Sequence, residues 1–257
     1  MLPAGGRESA GMDQVSDYVE LVQSPWGRIF YDLLFSQLGI PRFPRMKILD
    51  FGSGLGVTSD YFAAWHDIVA IEPNKEMIES SFKDNPYTQI CGGIEKVNGF
   101  EDNTFDFIFC HNVFEYIEDK EPIFAELLRV LKQCGTFSLV KHNRSGKVFH
   151  SAVFWSDPKK ALELVDEHAN DRSNYFGTQY IYSNSDVMEW ADHCGATIRS
   201  MLGMRAFWSL GQDSSVKFTN DWYENMLKLE NRAAGMDEYR QVAFYNHILI
   251  EKTGSGQ

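Results

Sequence analysis

The chain has 257 residues, 44% of them apolar and 23% charged. These values sit near the globular average, which excludes a disordered chain, a collagen-like chain and a low-complexity array. With 24 basic and 36 acidic residues the net charge is −12. Such a surface repels phosphate backbones at long range, which argues against broad nucleic-acid binding and leaves room for a local basic pocket.

The opening residues, Met1 to Glu8, carry no apolar stretch of the kind found in a secretory signal, and residues 1–12 read as a frayed end. Val15, Tyr18, Val19 and Val22, then Ile29, Phe30, Leu33, Leu34 and Leu38, predict one or two helices over 14–38, interrupted at Pro25 and Gly27. Pro41 and Pro44 make a linker. Residues 47–51 form a short apolar strand that runs into a glycine-rich turn, followed by a helix over 57–65 and a second strand over 68–71. Asn74 can cap a helix reaching about Phe82. Strands follow over 88–91 and 105–110. Residues 121–132 make an amphipathic helix with Ile123, Leu127, Leu128 and Leu131 inward and Pro122 in its first turn, before a fifth strand over 136–140.

The stretch 143–184 breaks this rhythm with Trp155, Pro158, Tyr175, Phe176, Tyr180 and Tyr182, and reads as a lid or substrate insert. A helix over 185–193, stopped by Gly195, a strand over 197–202, a helix over 219–233 and a strand over 242–251 complete the chain. No apolar run reaches the roughly 20 residues that span a bilayer. Cys91, Cys110, Cys134 and Cys194 form no C-x-x-C pair and sit in or beside apolar runs, which reads as four reduced, mostly buried thiols of a cytoplasmic protein. No metal site is read.

Strands alternating with helices of about ten residues imply βαβ units. The fold class is α/β: a doubly wound, mostly parallel, seven-stranded sheet with helices on both faces and an antiparallel C-terminal edge. Ligands of such sheets bind beyond the carboxyl ends of the strands.

Asp50-Phe51-Gly52-Ser53-Gly54-Leu55-Gly56 follows a strand and opens a helix, so its amides and the helix N-terminus face a ligand. The third glycine arrives one position too early for a dinucleotide fingerprint, and an acid stands two residues before the first glycine. That acid suits a cationic ligand better than a pyrophosphate and points to S-adenosylmethionine. Glu72 ends the second strand, where an acid accepts hydrogen bonds from ribose hydroxyls or is simply a solvated strand end. Asp106 is either a ligand contact or a surface acid. His111 and Asn112 lie just past the fourth strand, at the ligand-binding edge.

Taken together, these residues resemble the class I S-adenosylmethionine-dependent methyltransferases. The resemblance covers about 46–142: the loop, Glu72, Gly92-Gly93-Ile94-Glu95, Phe105-Asp106-Phe107-Ile108, Cys110 through Tyr116, and Leu127 through Lys132. Gln133-Cys134-Gly135 departs from the Pro-Gly-Gly of many relatives. Further pieces are similar to the bacterial family that esterifies the carboxylate of 5-carboxymethoxyuridine in tRNA: Ser138-Leu139-Val140 with Asn143 and His150, Gly203 through Phe207, Tyr223 through Glu230, and Tyr245-Asn246-His247.

The resemblance implies an organisation of N-terminal helical cap (1–45), cofactor-binding α/β core (46–142), insert (143–184) and C-terminal completion of the sheet on the substrate side (185–257). It implies S-adenosylmethionine as cofactor, with Gly52, Ser53 and Gly54 along its methionine part, Asp50 toward its ammonium, Glu72 on the ribose, Gly93 and Ile94 beside the adenine, and His111 near the sulfonium. An arginine of the family's first helix corresponds to Arg28, or to Trp26 without a gap. His111 and Arg205 are the candidate catalytic residues. A carboxylate acceptor is ionised at neutral pH and needs no base, but it needs a cation, for which Arg205, Lys141 and Arg144 are candidates. An amine or phenol acceptor would need a base such as His111 or His142. Trp155, Tyr175, Tyr180 and Phe207 either stack a flipped base or form the core of a lid. Lys141, Arg144, Lys147, Lys159 and Lys160 are the one local basic cluster for tRNA. The competing functions are a small-molecule O- or N-methyltransferase and a cofactor-binding regulator without turnover.

Overall fold

The computed structural model describes residues 11–166, 171–173 and 177–253. Two N-terminal helices, α1 (Gly11–Gln23) and α2 (Pro25–Leu38), lead into the alternating core. That core runs β1 (Lys47–Phe51), α3 (Val57–Ala63), β2 (Asp67–Glu72), α4 (Lys75–Glu79), β3 (Thr88–Cys91), α5 (Ile94–Val97), β4 (Phe105–His111), α6 (Lys120–Val130) and β5 (Leu131–His142). Then come α7 (Arg144–Phe149), continued by a π turn over His150–Phe154, α8 (Pro158–Val165) and a small hairpin of β6 (Asp171–Ser173) and β7 (Gly177–Gln179). The chain closes with α9 (Asn184–His193), β8 (Ala196–Met204), α10 (Asn220–Ala233), α11 (Asp237–Arg240) and β9 (Tyr245–Lys252).

The main sheet has seven strands in the order β3-β2-β1-β4-β5-β9-β8. The pairings from β3 to β5 are parallel, and β9 runs antiparallel to both β5 and β8. This is the expected doubly wound sheet with an antiparallel edge. Strand order reverses between β1 and β4, so the carboxyl ends of β1, β2 and β4 form the crevice where such folds take ligands. Alternating residues supply the two faces. Leu49, Ile71, Ile108, Phe137 and Ile248 pack under α6 and α9, while Ile48, Ile68, Phe107, Phe109 and Leu249 pack against α2, α3 and α10.

Several local expectations shift. The break between the first two helices lies at Ser24, which caps α2 by accepting the amide of Trp26, with Pro25 in the first turn. Gly27 lies inside α2, where a Cβ would collide with the backbone of Val22; it is there for close helix packing and does not interrupt. α4 stops at Glu79, short of Phe82, whose amide is taken by the carbonyl of Leu55. Leu131 begins β5, pairing with Phe105, and is not part of the preceding helix. β9 starts at Tyr245, because the amide of Phe244 turns away to the carbonyl of Arg205. All four cysteines are free thiols, but Cys91 and Cys134 are exposed, contrary to the expected burial. The irregular stretch after β5 is largely helical; Tyr175 and Phe176 lie outside the described residues, as do residues 1–10. Among the described residues no helix is long and apolar enough to cross a membrane.

Candidate active site

The strand β1 ends at Asp50-Phe51 and turns through Gly52, Gly54 and Gly56, whose φ angles of 76°, 54° and 71° are all left-handed. A Cβ in that region strains the backbone, so the spacing of the glycines follows from the turn itself. The carbonyl of Ile71 on β2 accepts the amides of Gly52 (2.8 Å) and Ser53 (3.1 Å). Glu72 then ties two loops together: its Oε2 accepts the amide of Gly54 and its Oε1 that of Asn74, each at 2.9 Å. Burial raises the Glu72 pKa, and the two amides pull it back. Asp50 is buried and accepts the Ser59 hydroxyl at 2.7 Å. Burial first, with Glu72 adding to it against the Ser59 bond, pushes its carboxyl up to about 7.

The N-terminal helices cover this loop. Val22 packs on Leu55 and Met77 with Val15, Tyr18 and Val19 around them. Tyr31 on α2 is pushed well above the ordinary phenol range by burial, then by Tyr18, Asp50 and Tyr245. Beyond β3, the amide of Gly93 is held by the Glu95 carboxylate, and Ile94 packs against the sheet core.

At the end of β4, His111 Nε2 lies 2.9 Å from Ser138 Oγ. Burial and the facing His247 hold its pKa well below the usual imidazole value. Asn112 adopts a left-handed φ of 57° and donates its amide to Val140. Its Oδ1 and the hydroxyl of Ser53 are buried without a hydrogen-bond partner, an expensive state unless a polar ligand completes them.

A second feature forms at the end of β8. Arg205 is buried with φ of 60°, a conformation costing a non-glycine residue roughly 1–2 kcal/mol. Its guanidinium lies 5.0 to 5.4 Å from the ring centres of Trp26, Phe244 and Tyr245. Among the described residues its hydrogen bond is Nε to Ser209 Oγ, at 3.2 Å. Glu230 on α10 holds the turn by accepting the amides of Ala206, Phe207 and Trp208. The buried Lys217 stands over the Trp26 ring at 4.0 Å and donates to the carbonyls of Trp208 and Gly211. Burial, then Arg205, lowers the Lys217 pKa to about 8. Burial, then Arg205, Lys217 and Lys147, lowers His150 to about 4, and its Nε2 has no partner. Among the described residues neither Arg205 nor Lys217 forms an ion pair with a carboxylate.

The predicted residues therefore fall into two groups. Hydrogen bonds join Gly54 to Glu72, while Gly52 and Ser53 hang from Ile71 beside it. Arg28 is elsewhere: its guanidinium stacks on Tyr223 at 4.3 Å and faces Asp32. Trp26 points instead to Arg205 and Lys217. Asp106 is structural, accepting the Lys47 amide and the Lys132 amine. His142 is engaged by Glu115, whose burial penalty is outweighed by the His142 hydrogen bonds so that its pKa falls. Lys141 is buried over Tyr182, with a pKa lowered by burial to about 8. Lys147 is buried against Gln179. With both inside the fold, the expected basic cluster is not a surface stripe. Trp155 pairs with His150, Tyr180 with Lys120 and Phe207 with Tyr239, so these aromatics form no single platform. Lys217, Tyr31 and the role of Glu230 had no local sequence signal; each depends on contacts between distant segments.

A family described as "Methyltransferase domain" matches residues 49–139. The chain is 23% identical over 220 residues to the tRNA 5-carboxymethoxyuridine methyltransferase of Escherichia coli K12, covering 82% of each. It is 33% identical over 102 residues to the uncharacterized methyltransferase YcgJ of Bacillus subtilis, covering 37% of this chain and 40% of that one. The solved S-adenosylmethionine dependent methyltransferase of Mesorhizobium loti shares the fold with a TM-score of 0.53 at 11% identity, over 90% of this chain and 99% of that one.

Proposed function

The chain belongs to the class I S-adenosylmethionine-dependent methyltransferases, and from that premise we propose that it esterifies a carboxylate, that of a modified wobble uridine in cytoplasmic tRNA. The observation that carries this reading is the pair Arg205 and Lys217, two buried cations in an aromatic setting that, among the described residues, form no ion pair with a carboxylate. The similarity to a tRNA carboxymethoxyuridine methyltransferase over most of the chain supports the acceptor.

The residues beside the glycine loop fit the cofactor. Ser53 Oγ and Asn112 Oδ1 are buried polar atoms awaiting a partner, and Asp50 offers an acid to an ammonium group. Each oxygen of Glu72 accepts one amide and keeps a further lone pair for a ribose hydroxyl. Bound S-adenosylmethionine supplies a methyl group on a sulfonium, already activated for transfer. The protein's task is then to position the acceptor and exclude water. α1 and α2 close one side. Arg205 and Lys217 hold the acceptor in its ionised form. A carboxylate, with a pKa of about 4, has no proton to lose at neutral pH, which agrees with a low-pKa His111 and with a His142 committed to Glu115.

Incubation with methyl-labelled cofactor and tRNA bearing the free carboxymethoxy group tests the proposal. Base-labile label in the RNA is the expected result. Label absent from RNA rejects it, and label entering a small carboxylic acid instead establishes the small-molecule reading, which the burial of Lys141 and Lys147 favours.

A further inference from the structure

A line of hydrogen bonds crosses the sheet from α2 to the end of β4. Gln37 Nε2 lies 3.0 Å from the carbonyl of Gly203. Its Oε1 lies 2.9 Å from His247 Nδ1, His247 Nε2 lies 2.8 Å from Ser138 Oγ, and Ser138 Oγ lies 2.9 Å from His111 Nε2. Each group has a fixed capacity to donate or accept, so the polarity of the whole line follows from one end.

The carbonyl of Gly203 can only accept, so Gln37 must present its NH2 there and its oxygen to His247. That oxygen can only accept, so His247 carries a proton on Nδ1. His247 is fully buried, and burial lowers its pKa to about 3; it is neutral, and its Nε2 is a bare lone pair. Ser138 must then donate its single hydroxyl hydrogen to His247. The Ser138 oxygen is left to accept from His111, which must carry its proton on Nε2. Among the described residues His111 Nδ1 has no hydrogen-bond partner.

We propose that Gln37, Ser138 and His247 are positioning residues for His111, together fixing its proton on Nε2 and keeping Nδ1 a bare acceptor. The three act through His111, and Gln37 does so from the far end of the line. The consequence for catalysis is electrostatic. An imidazolium beside a sulfonium would repel it, whereas a neutral ring with an open lone pair attracts the positive end of a ligand. The inference rests on His111 belonging to the methyl-transfer site, but its polarity argument needs no acceptor.

Nitrogen-15 NMR of histidine-labelled full-length protein tests it, because protonated and bare ring nitrogens give distinct signals. The expected wild-type pattern is Nε2-protonated His111 and Nδ1-protonated His247, opposite tautomers in one line. Gln37→Leu, which removes the acceptor for His247, should mix the His111 tautomers. Gln37→Glu, which still offers His247 an acceptor, should restore the single form. Ser138→Ala should leave His247 unchanged and uncouple His111 from it. A wild-type His111 protonated on Nδ1, or on both nitrogens at neutral pH, overturns the proposal whether or not the variants fold. So does an unchanged His111 signal in a folded Gln37→Leu protein. Loss of methyl transfer to tRNA with the tautomer pattern intact would refute the acceptor and leave the line standing.

Discussion

Val113 packs directly on Gly52: a Cβ built on the glycine would fall on the Val113 Cγ2 methyl, well inside van der Waals contact. The turn after β4 thus presses on the loop after β1 at the point where strand order reverses. Gly52→Ala combines this overlap with a left-handed φ of 76°, and we expect a loss of roughly 1–3 kcal/mol in stability together with weaker binding of S-adenosylhomocysteine. Gly52→Ala/Val113→Ala removes the overlap and keeps the backbone strain, so it should recover part of the melting temperature. Thermal unfolding of both variants measures the split.

The proposed contact of Asp50 with the cofactor ammonium should make cofactor binding pH-dependent. Its carboxyl is pushed up to about 7 by burial, so near neutrality a large share of the protein holds it protonated. A ligand ammonium favours the ionised form, and below pH 7 binding must first expel a proton. Affinity for S-adenosylhomocysteine should be level above pH 7 and fall below it, approaching about tenfold per pH unit. The same shift has a stability counterpart. From about pH 4 to 7 the unfolded chain has already lost this proton while the folded chain keeps it, so this group's contribution to stability declines as pH rises through that window. Asp50→Asn should flatten the binding curve and weaken affinity at about pH 8. Calorimetry across the window checks both, and an unchanged slope in Asp50→Asn assigns the proton elsewhere.

The glycine loop, Glu72 and the order of the core strands were legible because their chemistry is local. Gly52 and Glu72 are linked by one βαβ unit, and turn geometry, strand patterning and an acid at a strand end all announce themselves within it. The cationic cluster was legible only through Arg205. Trp26, His150, Lys217 and Glu230 come from α2, the π turn after α7, the segment before α10, and α10 itself, and no short-range pattern records that these meet. Gly27 shows the same limit from the other side. A glycine near a proline resembles a breaker, whereas here the proline starts a helix and the glycine admits a neighbouring backbone. Cys91 is exposed at the end of β3 and Cys134 where β5 bulges away from β4 with a left-handed φ of 59°, which apolar neighbours in sequence do not reveal.

Arg205 and Lys217 should separate acceptor binding from donor binding. Hydrogen bonds to charged groups contribute about 1.5–3 kcal/mol, so Arg205→Met should raise the acceptor KM by roughly 10- to 100-fold. Affinity for S-adenosylhomocysteine should hold. Lys217→Met should act in the same direction. Because the Arg205 charge lowers the proton affinity of Lys217, removing Arg205 should raise the Lys217 pKa and, through the lost charge, that of His150. Steady-state kinetics and the titration of His150 by NMR read the two effects separately.

Gly27→Ala reverses the usual sign of a helix substitution. In an open helix interior alanine is favoured over glycine by about 1 kcal/mol, and on propensity alone α2 should gain. Here the added Cβ meets the carbonyl of Val22 at the end of α1, and a backbone group cannot turn aside as a flexible side chain can. Overpacking of this kind costs typically 1–3 kcal/mol, which outweighs the propensity gain. The strain falls on the contact that seats α1: Val22 packs against Leu55 of the glycine loop and Met77 of α4. Gly27→Ala should therefore lower the melting temperature and also weaken S-adenosylhomocysteine binding, although Gly27 is not itself part of the loop. Thermal unfolding with and without that ligand checks this: the ligand-induced rise in melting temperature should shrink in the variant. An unchanged rise would mean that α1 is not needed to close the site.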